Sequence, residues 1–156
     1  MLKVVPKSWW SYTFSVTDGG RPVAQAVNRS CWRDKAELQV EGAAYTARRD
    51  KSSFILESAG APIARAERPR RWFREFVIEH SGRRYLLRRR SAFRRQYLLL
   101  EGSTRAGSIT PGGLFGRKAA VELPPDVPLH LQIFIIWIVM TLWKHDDNAG
   151  AAVVGG

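Results

Sequence analysis

The chain contains a single cysteine, Cys31, among its 156 residues, so no disulfide can form within it. One unpaired thiol is typical of a protein from a reducing compartment, and we therefore predict a cytoplasmic location. The first residues include Lys3 and Lys7 but no apolar run of the length found in secretion signals. This absence leads us to expect no secreted form.

Residues of the kinds that bind metals or carry out catalysis are also few. The three histidines, His80, His130 and His145, are far apart in the sequence and lack the spacing of a zinc site, so we predict no metal and no cofactor. No serine or cysteine has the surroundings of a catalytic nucleophile. We therefore predict that the protein is not an enzyme, the alternative being an enzyme with a site inside a barrel. His130 is expected to be a core histidine with a hydrogen-bond partner.

Acidic residues are scarce, with 14 Asp and Glu against 25 Lys and Arg, which gives a net charge of +11. A charge of this size implies an anionic partner, such as a membrane surface, nucleic acid or an acidic protein. Basic residues concentrate between Arg65 and Arg95, where twelve arginines accompany three acids. Trp72, Phe73 and Tyr85 are interleaved with them.

Most of the chain alternates between apolar and polar residues with the period of two that is typical of strands. Turn residues such as glycine, proline and serine separate these segments. We predict ten or eleven strands in consecutive hairpins, at residues 8–16, 22–27, 35–41, 44–49, 53–58, 62–67, 72–80, 83–90, 94–101, 105–110 and 117–123. Strands and helices do not alternate, so a parallel α/β sheet is not expected. Residues 54–57 resemble residues 98–101, which indicates a repeated hairpin.

One long apolar segment follows the last predicted strand. Residues 127–145 form a predicted helix, with Asp126 as its N-cap and Pro128 in its first turn. Apolar side chains occupy every face of this helix, and a helix of this kind is buried either inside a protein or across a membrane. We assign residues 1–147 to a single domain and residues 148–156 to a disordered tail of small residues.

The two kinds of burial give two hypotheses. A barrel of about 10–12 strands is wider than its own side chains can fill, and the helix, ~28 Å long at 1.5 Å per residue, has the length to fill it. We therefore predict a mainly β fold, in which a closed antiparallel barrel of about 10–12 strands is wrapped around the C-terminal helix. The alternative is a tail-anchored membrane protein. A membrane span needs about 20 apolar residues, and His130, Gln132 and Thr141 interrupt this segment.

Two stretches carry a family resemblance: the turn at residues 59–64, and residues 117–124 running through Asp126 into the helix. In these features, residues 8–147 resemble the tubby C-terminal-like superfamily, which includes tubby domains, phospholipid scramblases and LURP-one-related proteins of plants. The resemblance implies a twelve-stranded barrel around a central hydrophobic helix. Because tubby domains bind phosphoinositides, it also implies contact with membranes. The lipid-binding, calcium-binding and lipidated residues of that superfamily have no counterparts here, so lipid scrambling is not implied.

Arginine suits phosphate because its guanidinium can donate two parallel hydrogen bonds. We predict that outward-facing arginines form one patch that binds anionic membrane lipid head groups of the phosphoinositide kind, in a peripheral contact with the membrane. The candidate residues are Arg70, Arg71, Arg83, Arg84, Arg88, Arg90, Arg94 and Arg95. Two alternatives stay open: these side chains only solubilise the barrel wall, or the same face binds nucleic acid. Adjacent arginines in a strand point to opposite faces, so strand register decides which of them share a surface.

Overall fold

The structure of the protein is a computed structural model that describes residues 2–7, 13–30, 34–69, 75–91, 95–112 and 118–154, apart from the side chains of residues 29, 30 and 147–154. Within these ranges it is a closed antiparallel barrel of twelve strands with one helix. The strands are β1 (Leu2–Pro6), β2 (Phe14–Asp18), β3 (Arg21–Ser30), β4 (Lys35–Val40), β5 (Ala43–Asp50), β6 (Ser53–Ser58), β7 (Ala61–Glu67), β8 (Glu75–His80), β9 (Arg83–Arg89), β10 (Tyr97–Glu101), β11 (Thr104–Gly112) and β12 (Lys118–Glu122), and the helix is α1 (Leu129–Val154).

Each strand pairs with its neighbours in the sequence, and β1 closes the barrel by pairing with β12. Leu2 lies opposite Val121 and Val4 lies opposite Ala119 in this closing pair. The predicted closed barrel is therefore confirmed. β1 is absent from the predicted strands, although it supplies the closure.

Helix α1 passes through the barrel. Residues 131–139 are all buried, and because a helix has 3.6 residues per turn, this run covers every face of α1. Near one end, His130 contacts His80 of β8, and near the other end Trp143 bonds to the backbone of Arg95. The helix is thus enclosed by the wall rather than presented to lipid. In the part of the chain that the structure describes, no helix combines the length and apolar character that crossing a membrane requires.

The limits of α1 differ from the predicted helix. It begins at Leu129 rather than at residue 127, and it continues to Val154 through most of the segment predicted to be a disordered tail. Asp126 is not the N-cap, because α1 begins three residues after it, and its carboxylate pairs with Arg83. The extension past residue 145 contains several alanines, which have the highest intrinsic helix propensity.

The barrel consists of three copies of a four-strand unit. The copies are β2–β5, β6–β9, and β10–β12 with β1 as the fourth strand. The cross-strand partners follow the same register in all three: Phe14, Ala26, Leu38 and Tyr45; Phe54, Ala66, Ile78 and Tyr85; Tyr97, Ile109, Val121 and Leu2. A register shift also recurs, at Val16/Thr17, Leu56/Glu57 and Leu99/Leu100. The hairpin resemblance seen in the sequence is therefore part of a threefold repeat, with Phe54 corresponding to Tyr97 rather than to Leu98.

The two ends of the barrel have different connections. At one end, which we call the turn end, two-residue turns close the hairpins β2–β3, β4–β5, β6–β7, β8–β9 and β10–β11. Turns such as Glu41–Gly42, with φ angles of 47° and 84°, have positive φ at both positions, as in the type I′ turns that match hairpin twist. Helix α1 begins at the turn end. At the other end, which we call the basic end, residues 51–52 form a two-residue turn between β5 and β6, and the other connections, β1–β2, β3–β4, β7–β8, β9–β10 and β11–β12, are longer.

Candidate anion-binding surface

The predicted arginine patch is divided among several surfaces. Arg70, Arg71 and Arg94 lie outside the described residues. Strand β9 alternates, so Arg84 and Arg88 point outward while Tyr85 and Leu87 point into the core. Arg83 lies at the turn end, and Arg90 and Arg95 lie at the basic end, where Arg90 bonds to Gln96 at 2.9 Å. The described candidates therefore do not share one face.

On the outer wall, arginines are paired with glutamates of the neighbouring strand. Arg84 Nη2 lies 2.7 Å from Glu79 Oε1, and Arg88 Nε lies 2.7 Å from Glu75 Oε1. Both pairs are cross-strand neighbours of β8 and β9. Exposed pairs of this kind add little to stability, but they neutralise the cationic charge of the wall. This arrangement agrees with the alternative in which wall arginines solubilise the barrel.

Arg83 joins three segments at the turn end. Its Nη2 donates to both carboxylate oxygens of Glu101, at 3.0 and 2.9 Å, and to Asp126 Oδ2 at 2.9 Å. Its guanidinium also lies 5.3 Å from the centre of the Tyr85 ring. The hydrogen bonds to Asp126 and then to Glu101 raise the pKa of Arg83 further above its ordinary value. Through its ion pairs with two carboxylates, Arg83 connects the wall to the segment leading into α1.

At the basic end, Asp34 ties the C-terminal half of α1 to the wall. His145 Nε2 lies 2.8 Å from Asp34 Oδ2, Arg49 Nη1 lies 3.3 Å from the same oxygen, and Lys144 Nζ lies 3.6 Å from Oδ1. Burial alone would raise the pKa of Asp34, but the hydrogen bond and charge of His145, together with Arg49 and Lys144, outweigh burial and lower it. One carboxylate thus gathers three basic side chains at this end.

Aromatic and basic groups also meet at the basic end. Trp143 Nε1 donates to the carbonyl oxygen of Arg95 at 2.8 Å, and the Arg95 guanidinium lies 5.6 Å from the centre of the Trp143 ring. Such a cation–π contact is favourable. Tyr97 packs against the same indole, with ring centres 6.4 Å apart.

The sequence of the longer connections is markedly biased. Five segments, residues 8–12, 31–33, 70–74, 92–94 and 113–117, lie outside the described residues, and each joins strands whose described ends are at the basic end. Together they contain six arginines and no acid: Arg33, Arg70, Arg71, Arg74, Arg94 and Arg117. They also contain eight aromatic residues: Trp9, Trp10, Tyr12, Trp32, Trp72, Phe73, Phe93 and Phe115. Three of the predicted candidates, Arg70, Arg71 and Arg94, belong to these segments of the sequence.

The turn end contains a contact between two histidines that the sequence did not predict. His80 Nε2 and His130 Nε2 are 3.1 Å apart, and the Tyr45 ring stacks on His130 with ring centres 5.1 Å apart. Burial lowers the pKa of both histidines, and the proximity of His80 lowers that of His130 further. The expected hydrogen-bond partner of His130 is thus His80. A groove with a volume of about 600 Å³ runs beside His80.

The relationship to known proteins was also tested by comparison. Models of protein families, curated proteins and solved structures gave no match to the chain. The architecture stated above comes from the strand pairing and the burial of α1. Membership of the tubby C-terminal-like superfamily stays a prediction.

Proposed function

We propose that the protein is a non-enzymatic binding or scaffold module that docks on anionic membrane lipid with the basic end of its barrel. The observation that carries this proposal is the composition of residues 8–12, 31–33, 70–74, 92–94 and 113–117 in the connections at that end, which contain six arginines, eight aromatic residues and no acid. Each basic residue near an anionic bilayer contributes ~1 kcal/mol to binding. Tryptophan and tyrosine favour the interface between head groups and acyl chains.

The opposite end of the barrel supports a single orientation of docking. The turn end has short glycine turns and the acidic residues Asp18, Glu41, Glu101 and Asp126. Its most engaged arginine, Arg83, is paired with two of these acids. The basic end also holds Asp34, Asp50 and Asp146, but basic residues outnumber acids there. The charge of the molecule is therefore asymmetric along the barrel axis, and an anionic surface attracts the basic end first.

The outer wall favours lipid over nucleic acid. A groove that tracks a nucleic-acid strand needs a continuous line of cations with aromatic platforms. On the wall, Arg84 and Arg88 face Glu79 and Glu75, so positive and negative charges alternate. Nucleic-acid binding along the wall is therefore the weaker proposal, and we retain it as one outcome of the test below.

The barrel also supports a wider relationship. Twelve antiparallel strands around a buried C-terminal helix are the fold that the resemblance to the tubby C-terminal-like superfamily implied. We extend the proposal to membership of that superfamily. We also propose that the protein is cytoplasmic and contacts membranes peripherally. The predicted phosphoinositide-like head group is the proposed ligand class.

Two triple variants with equal changes in charge test the proposal. The end variant is Arg70→Glu, Arg71→Glu and Arg94→Glu; the wall variant is Arg65→Glu, Arg84→Glu and Arg88→Glu. Three basic residues at ~1 kcal/mol each correspond to a loss of about 100-fold or more in vesicle affinity. We expect this loss in flotation with phosphatidylserine–phosphoinositide vesicles for the end variant, and a change of only a few fold for the wall variant.

The contrast between the variants decides among the alternatives. Equal loss in both would mean that net charge alone drives binding, and undiminished binding of the end variant would refute docking through the basic end. Gel-shift assays with oligonucleotides are run in parallel, because salt weakens lipid and nucleic-acid binding alike. Tight oligonucleotide binding that the end variant removes, without binding to vesicles, would establish the nucleic-acid alternative on the same face. Tight oligonucleotide binding that only the wall variant removes would place that alternative on the wall. Circular dichroism and melting temperatures confirm that both variants fold.

A further inference from the structure

Two histidines face each other between the wall and the central helix. His80 is the last residue of β8, and His130 lies in the first turn of α1. Their Nε2 atoms are 3.1 Å apart, with ring planes inclined at 56°. Two imidazole nitrogens on one metal ion, each at 2.0–2.1 Å, lie about 2.9–3.4 Å apart for angles between a right angle and the tetrahedral value. We propose that His80 and His130 form a binding site for a divalent transition-metal ion that prefers imidazole, such as Zn²⁺ or Ni²⁺.

The threefold repeat shows that packing does not require a histidine at position 80. His80 lies opposite Ala64, and the corresponding position in the first unit is Val40, opposite Ala24. In the third unit the corresponding residue is Leu123, because Ser108 lies opposite Glu122 and the preceding residue of β11, Gly107, corresponds to Ala24 and Ala64. An apolar residue therefore serves at this position in two units, and the imidazole stands in the unit that faces His130.

The surroundings hold the two rings in place. Tyr45 stacks on His130 at an interplanar angle of 13°. The Gln132 side chain donates to the carbonyl oxygen of Val127 at 2.7 Å, which fixes the start of α1. The bonds of Arg83 to Glu101 and Asp126 fix the same end of the wall and balance its charge. A pair that is already positioned loses little conformational freedom when a metal binds.

The two imidazoles leave further coordination positions on a metal ion to other ligands. Among the described residues, no cluster of three or more His, Cys, Asp or Glu is close enough to bind one metal ion. Water or a small anion would complete the coordination. The groove of about 600 Å³ beside His80, which Arg65 and Arg84 also line, has room for either. We therefore expect weaker binding than at four-ligand structural zinc sites.

Full-length, metal-free protein titrated with ZnCl₂ and NiCl₂ tests the site by calorimetry and thermal unfolding. We expect one equivalent to bind and to raise Tm by about 5–10 °C at a hundredfold excess over Kd. The test variant is His80→Val, which reproduces Val40 and therefore folds. The matched control is His145→Gln, which removes a histidine beside Asp34. MgCl₂, a hard cation that prefers oxygen ligands, should have no effect.

Each outcome of these measurements either supports or overturns the proposed site. Binding that is kept by His145→Gln and lost by His80→Val, with ¹⁵N shifts at both Nε2 atoms in NMR spectra of the wild-type protein, supports the site. Equal binding by His80→Val and wild-type protein, or no binding at all, overturns it. Loss of binding in His145→Gln alone would place the metal at Asp34 and would also overturn it. The site is at the opposite end of the barrel from the proposed membrane surface, so neither result affects the other proposal.

Discussion

Gly107 on β11 has a close approach to β12 that an added methyl group would not tolerate. A Cβ at this position would lie 2.3 Å from the backbone oxygen of Glu122 and 3.1 Å from the Cα of Leu123. These are backbone atoms, so no side-chain rotation relieves the clash. The corresponding residues of the other units are Ala24 and Ala64, which means that the narrow spacing is particular to the third unit.

The expected cost of Gly107→Ala combines two opposing effects. Replacing glycine by alanine inside a strand normally stabilises by roughly 0.5–1 kcal/mol, whereas overpacking costs about 1–3 kcal/mol. Because the clash is with backbone atoms, we take the upper part of the overpacking range, so the net loss is about 1–2.5 kcal/mol, which corresponds to a fall in Tm of roughly 2–10 °C for a protein of this size. Differential scanning calorimetry and urea unfolding measure both quantities.

Gly112→Ala is the control in the same strand. Its Cβ would lie 3.5 Å from the nearest atoms, the Cβ and backbone oxygen of Lys118, which is an ordinary contact. We expect an unchanged or slightly higher Tm. If the two variants melt at the same temperature, the close approach of β11 and β12 is not a property of the folded protein, and the reasoning fails.

Two further predictions concern titration and a buried hydroxyl. Because the pKa values of His80 and His130 are lowered in the folded protein, the unfolded chain binds more protons, and stability should fall as pH decreases below 6.5. The lowered pKa of Asp34 adds a further loss of stability below pH 3.8. Urea midpoints at pH 7 and pH 5 measure this fall, and His80→Val should reduce it; an undiminished fall in that variant would contradict the assignment. Tyr85 has a buried hydroxyl with no hydrogen-bond partner among the described residues. Tyr85→Phe should therefore leave the free energy of unfolding unchanged or raise it by up to ~1 kcal/mol, and a clear loss in urea unfolding would show that the hydroxyl is satisfied in the folded protein.

The sequence predicted the strands well wherever alternation was regular and glycine turns marked the ends. It missed β1, because Leu2–Pro6 is short and ends in proline; this segment becomes a strand when β2 and β12 offer it two edges to pair with. It also ended β11 too early at Pro111, although that strand continues to Gly112 opposite Lys118. Both errors arise because pairing with neighbouring strands overrides local preference.

The candidate site was less predictable, because it depends on the direction of each strand. The composition of the arginine-rich segment is visible in the sequence, but whether an arginine lies on the wall or at an end follows from the strand order. Arg84 and Glu79 meet only through the pairing of β8 and β9. His80 and His130 are separated along the chain by almost the entire last repeat unit, so no spacing rule connects them.

The closing pair between β1 and β12 and the position of α1 also constrain how the protein is made. The ribosome synthesises β1 first, yet its partner β12 and the helix that fills the interior come more than a hundred residues later. Until α1 leaves the ribosome, the inward side chains of the twelve strands have no helix to pack against. Non-local contacts of this kind slow folding and leave apolar surface exposed to aggregation. The barrel should therefore assemble only once α1 has been synthesised, and chaperones that shield the nascent strands should raise its yield.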